Sequence, residues 1–227
     1  MLADEVGRLS LLALGARSVP VVSRGDQWVD GQALQALADF VGVRWQHRML
    51  SPKDLASRID TVLAAASRFS GQLPADKMSA MLPNGFRSYA SLATHVSQII
   101  EAFLDFAEHG TPLEEAAYVK AVPSKIRSPA DLAAFHEEVR ARFGGWWRDC
   151  GSGVDFAGPA KVYYGEQTMH EFMERSAWHA AQHARQLQLL LQTLGVSPDV
   201  PLGAADLAGL PLPENVWDDK MAFQLQG

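Results

Sequence analysis

"WHAAQHARQL", residues 178–187, decides how this chain is read. His179 and His183 stand one helical turn apart in a run of helix-forming residues, so they share a face. Ser176, Gln186, Leu187 and Leu190 lie on that same face, which leads into an apolar seam and points both imidazoles inward. A buried imidazole must satisfy two ring nitrogens, and two neighbouring rings repel when both are protonated. A divalent metal resolves both problems, because neutral rings become ligands and their remaining N–H groups bond to outer partners. Two ligands rarely suffice. A third candidate is His95 in "LATHVSQII", residues 92–100, which falls among Leu92, Val96, Ile99 and Ile100. The pair lacks the glutamate of an HExxH site, since Ala180, Ala181 and Gln182 intervene. A single histidine on an apolar face is more often a satisfied core residue, so the case rests on the three together. The other four read as ordinary: His47 in a junction, His109 at a helix end, His136 beside Glu137 and Glu138 on a solvated face, His170 in a first turn.

The helix that carries the pair opens on Thr168 and Glu171, a capping box, and stops at Gly195 with Pro198 beyond. Three further long helices can be placed upstream. One runs from Ser51-Pro52-Lys53-Asp54 to about Gly71, one from near Ser88 to about His109, and one from Ser128-Pro129-Ala130-Asp131 to about Asp149. The links 72–87, 110–127 and 150–167 are long enough to cross the bundle rather than turn back tightly. Residues 1–43 have another texture: helix, two short extended runs around Arg24-Gly25-Asp26, and a second helix closing at Gly42. The expected division is a small α/β segment at 1–46, a four-helix bundle at 47–197 and an extension at 198–227.

Composition narrows the function classes. The chain has 227 residues, 48% hydrophobic and 20% charged, as in an ordinary globular protein. A formal net charge of −6 argues against a general nucleic-acid or anionic-membrane binder. No apolar run approaches the roughly 20 residues that span a bilayer. The opening "MLADEVGRLS" lacks the basic head and apolar stretch of a signal peptide, and the one cysteine, Cys150, suits a reducing compartment. A cytoplasmic location is therefore the expectation, with a small-molecule substrate and neither nucleic acid nor membrane as partner. The 43-residue segment buries too little to fold alone, so Leu11, Leu12, Leu34 and Leu37 should pack on the bundle or on a second chain as a homodimer.

Two family resemblances follow from these residues. "ERSAWHAAQHARQLQLLLQTLGV" together with "RSYASLATHVSQIIEAFLD" resembles the DinB/YfiT-like superfamily of bacterial four-helix bundles. Its signature is one histidine on the second helix and an HxxxH pair on the fourth, followed by an Arg/Gly-Gln-Leu stretch. His95, His179 and His183 fill these places, with Arg185-Gln186-Leu187 following. The resemblance covers roughly residues 50–197 and implies a bundle with a long crossover between its second and third helices. It also implies a divalent metal, commonly zinc or nickel, at the end of a cleft. Its characterised enzymes are transferases and isomerases that use mycothiol, bacillithiol or glutathione. The first 43 residues are similar to the second half of a glutaredoxin, a truncated thioredoxin-like segment with one β-hairpin. "SVPVV" at 18–22 looks like the motif whose proline is cis and borders the glutathione site, which places Val19 and Pro20 as the glutathione-contacting pair. The redox cysteine of a full glutaredoxin has no counterpart here.

The expected function is a metal-dependent thiol S-transferase or isomerase acting on a small electrophile, with glutathione as co-substrate. Two alternatives stay open: a hydrolase that activates water at the metal, and a non-catalytic metal or small-ligand binding protein. Three imidazoles suit zinc, nickel, copper or iron alike. Arg87, Arg175 and Arg185 are candidate anchors for an anionic substrate, and Trp146, Trp147, Tyr163 and Tyr164 could line a cleft or fill the core.

Overall fold

The computed structural model describes residues 5–16, 20–44, 46–83 and 87–217. Among them the chain is mainly helical, with six α-helices and two small antiparallel hairpins. The amino-terminal part holds α1 (Glu5–Ala13), β1 (Val21–Arg24), β2 (Gln27–Asp30) and α2 (Leu34–Val41). The long helices are α3 (Pro52–Gly71), α4 (Tyr89–His109), α5 (Pro129–Cys150) and α6 (Met169–Thr193). Each opens on a hydroxyl. Ser51 accepts from the Asp54 amide, Ser88 from Ser91 and Ser128 from Asp131, while Thr168 and Glu171 close a reciprocal box. Caps of this kind contribute about 1 kcal/mol apiece and fix where each helix begins.

The packing order differs from the chain order. α3 lies mainly against α5 and α6, and α4 lies against the same two helices, so consecutive α3 and α4 meet only slightly. The long links make this arrangement reachable. A second hairpin sits in what the sequence presents as plain linker: β3 (Pro159–Val162) pairs with β4 (Gly165–Thr168). Tyr163 and Tyr164 make the turn, Gly165 follows it at φ 127°, and a parallel bridge from Leu113 to Val162 ties the α4–α5 link to this hairpin. In the first hairpin Gly25, at φ 64°, takes the left-handed conformation that the tight loop between β1 and β2 needs. Residues beyond α6 run back over the bundle, where Arg58, Arg68 and Arg185 donate to carbonyls of Ala208, Asp199, Val200, Pro213 and Glu214. Arg185 thus secures the tail.

His136 corrects one expectation. It is fully buried rather than solvated, because Leu132, Phe135, Val139 and Phe143, its helical neighbours, form the inner face of α5. Ser70 Oγ lies 2.8 Å from its Nε2 and Ser97 Oγ 2.6 Å from its Nδ1, so one hydroxyl accepts the ring N–H and the other donates to the lone pair. Burial pushes the imidazole down to about 3 from its ordinary 6.5. The unfolded chain therefore binds a proton that the native state refuses between those two values. Stability attributable to His136 is full above pH 6.5 and is lost as pH falls toward 3. Unfolding free energies measured across pH 6 to 4 should rise with pH more steeply for the native protein than for His136→Gln, by up to about 1.4 kcal/mol per pH unit. Equal slopes would contradict the buried, neutral assignment.

Candidate metal centre

His95 on α4 meets His179 and His183 on α6 across the bundle. Their ring centroids are 5.4 Å (His95–His179), 4.6 Å (His95–His183) and 5.0 Å (His179–His183) apart. One ligand atom from each lies within 4.8 Å of the others, close enough to hold one metal ion. His95 is buried, whereas His179 and His183 keep one edge open to a cavity. All three are held neutral. Burial depresses each pKa first, and the positive guanidinium of Arg87 pushes the same way, taking His183 to about 3 and His95 and His179 well below their usual range. Neutral imidazoles clustered in this manner are the donor set a borderline divalent cation prefers, so the residues fit the group.

The tautomers can be read from the outer contacts. Gln186 Nε2 donates to the Val216 carbonyl at 3.1 Å, which turns its Oε1 toward His183. His183 Nδ1 sits 2.7 Å from that oxygen, so its proton is there and Nε2 presents a lone pair. The tail therefore orients a ligand through one amide. Replacing Gln186 by Leu should weaken metal binding about 10- to 100-fold, the usual cost of losing an outer-shell partner. An unchanged affinity in a competitive chelator titration would show that Gln186 is packing alone. His179 is held differently: Arg175 Nη1 approaches its Nδ1 at 3.4 Å, the longest of the guanidinium's hydrogen bonds. Ligation through His179 Nε2 requires Arg175 to release that contact.

A cavity of about 370 Å³ opens over the histidines. Its walls come from three parts of the chain: Pro20, Gly31 and Gln32 beside the first hairpin, Glu115, Tyr118 and Val119 in the α4–α5 link, and Arg175 and Trp178 on α6. Tyr163, from the turn of the second hairpin, and Arg87, just ahead of α4, complete it. Pro20 lines this cavity, while Val19, and with it the expected cis bond, falls outside the described residues. Gly31 allows the close approach. Its amide donates to the Pro20 carbonyl at 2.8 Å, and a Cβ there would lie 3.0 Å from the proline ring.

Tyr118 and Gln32 carry no motif and were not legible as site residues. Tyr118 belongs to a short 3₁₀ turn (Glu115–Tyr118), stands edge-on to His179 at 5.2 Å, and has its phenol pushed up to about 12 by burial. Gln32 accepts hydrogen bonds from both Arg175 and Tyr163 and pins the first hairpin to the bundle. Of the four aromatics singled out from sequence, Trp146 and Tyr164 are core, Trp147 packs against it, and Tyr163 lines the cavity. Cys150 is exposed at the end of α5 and is not part of the cavity lining. His47 and His170 bond to Glu174 and to the Leu50 carbonyl, away from the cluster. Among the described residues no helix is long and apolar enough to cross a membrane. No protein-family model matches the chain, and no curated protein is significantly similar to it.

Proposed function

We propose that this protein is a divalent-metal-dependent enzyme that joins a glutathione-type thiol to a small electrophile or isomerises one through such a thiol. The reading includes a bundle of the DinB/YfiT type, with His95, His179 and His183 as metal ligands, and a glutaredoxin-derived amino-terminal segment. One observation carries it: three neutral imidazoles lining one cavity together with Pro20, Gly31 and Gln32. Zinc or nickel suits such a donor set, and three protein ligands leave room for an exogenous one. The bound metal would lower the pKa of a thiol so that it is a nucleophile near neutral pH.

The chain's own residues supply the rest. Trp178 and Tyr163 line the cavity beside the histidines. The Tyr118 phenol, whose pKa is raised to about 12, remains protonated at neutral pH and can donate to negative charge that develops on the electrophile. The thiol must come from solution, since Cys150 is elsewhere. Calorimetric titration with glutathione should give binding to the metal-loaded protein and none to the chelator-stripped form, with Cys150→Ser behaving as native. No heat at millimolar glutathione in the loaded protein would overturn the thiol reading.

A further inference from the structure

We infer that the cavity takes a ligand by its carboxylate, held between Arg87 and Arg175. The inference names the ligand class of the proposed site and rests on that reading for the chemistry, though not for the binding itself. It starts from an imbalance of charge. Arg140 and Arg142, on the outer part of α5, each pair with carboxylates: Asp60 and Glu137 for the first, Asp105 and Glu108 for the second. Arg87 and Arg175 are more deeply placed, yet among the described residues neither makes an ion pair. Arg175 is only 4% exposed and donates to neutral oxygens, those of Tyr118 and Gln32. Its guanidinium lies over the rings of Tyr164 at 4.3 Å, Tyr118 at 5.2 Å and Trp178 at 5.9 Å. Its Nε is buried without a partner, and so is Nη1 of Arg87.

Burying a guanidinium away from water costs several kcal/mol unless its charge and donors are met, and leaving a buried donor unmet adds to that cost. Both unmet donors belong to residues that line the same cavity as the histidines. Among the described residues Glu115, exposed on the lining, is the one carboxylate there. Two guanidiniums against one carboxylate leave the lining positive, and a divalent ion on the histidines would add to that, so the cavity suits an anionic ligand. A planar carboxylate also matches the fork of a guanidinium. A volume of about 370 Å³ admits a small organic acid beside the metal position. The weak Arg175–His179 contact at 3.4 Å is the one such a ligand would replace, which frees His179 for ligation.

The test compares 3-mercaptopropionate, 2-mercaptoethanol and propionate on the zinc-loaded full chain by calorimetry. A charge-assisted pair is worth about tenfold or more in affinity. The charged thiol should therefore bind at least about tenfold tighter than the neutral one. Arg87→Gln and Arg175→Gln should each remove that advantage, read as the ratio of the two thiols' affinities within the same variant, while Arg175→Lys retains part of it. Should Arg175→Gln fail to fold, Arg87→Gln decides alone. Propionate that competes with 3-mercaptopropionate places the carboxylate of the thiol in the site. Propionate that binds alongside 2-mercaptoethanol places there the carboxylate of a second reactant. Propionate binding that depends on Arg87, with no binding of either thiol, supports the anion site and sinks the thiol reading. Equal affinities for the two thiols, or an advantage that survives both glutamine variants, would overturn the inference.

Discussion

His183→Ala strips the protein of tightly bound metal. The native chain should purify with, or take up, about one divalent ion, because three ligand atoms converge within 4.8 Å and burial holds all three rings neutral. Removing one of three ligands leaves a two-point site, and affinity should fall by at least about 100-fold, more than the loss of an outer-shell partner costs. His95→Ala and His179→Ala should behave alike. His136 is a poor control, since its burial couples it to folding; exposed His109 serves better, and His109→Ala should keep full stoichiometry. Acid should also release the metal, because protons compete for the ligands. The depressed pKa values delay that release to lower pH than free imidazole would allow. Metal content that is unchanged in a His95/His179/His183 triple alanine variant would remove the site altogether.

Phe103→Ala is expected to cost about 3–5 kcal/mol in unfolding free energy, the range for emptying an aromatic from a packed core. Phe103 on α4 is fully buried, with Trp146 at 5.3 Å, Phe172 at 5.4 Å and Phe143 at 6.5 Å between ring centroids. It therefore joins α4 to both α5 and α6, and no single neighbour can collapse into the space without leaving another contact. Chemical denaturation of the metal-free variant reads the effect apart from ligation. A loss under about 1 kcal/mol would mean that the cluster relaxes freely, contrary to close packing.

Helix starts were legible because they are chemical: Ser51, Ser128 and the Thr168–Glu171 box announce themselves within four residues. The three clustered histidines were legible because helical spacing fixes a face. His136 obeyed the same rule and was misread from its acidic neighbours, which lie on other faces; the residues three and four positions away, Leu132 and Val139, carried the signal. The β3–β4 hairpin was hidden in a ten-residue stretch with only Val162, Tyr163 and Tyr164 ahead of Gly165 to mark it. Tyr118, Gln32 and the Val216–Gln186–His183 relay depend on distant segments meeting, and no local pattern encodes such encounters.

X-ray absorption at the zinc edge of the loaded protein tests the central claim most directly. The account predicts a first shell with three imidazole nitrogens at about 2.0–2.1 Å and, when glutathione is added, a sulfur neighbour at about 2.3 Å. Fewer than three imidazoles, or a shell that stays free of sulfur at saturating glutathione, would contradict it.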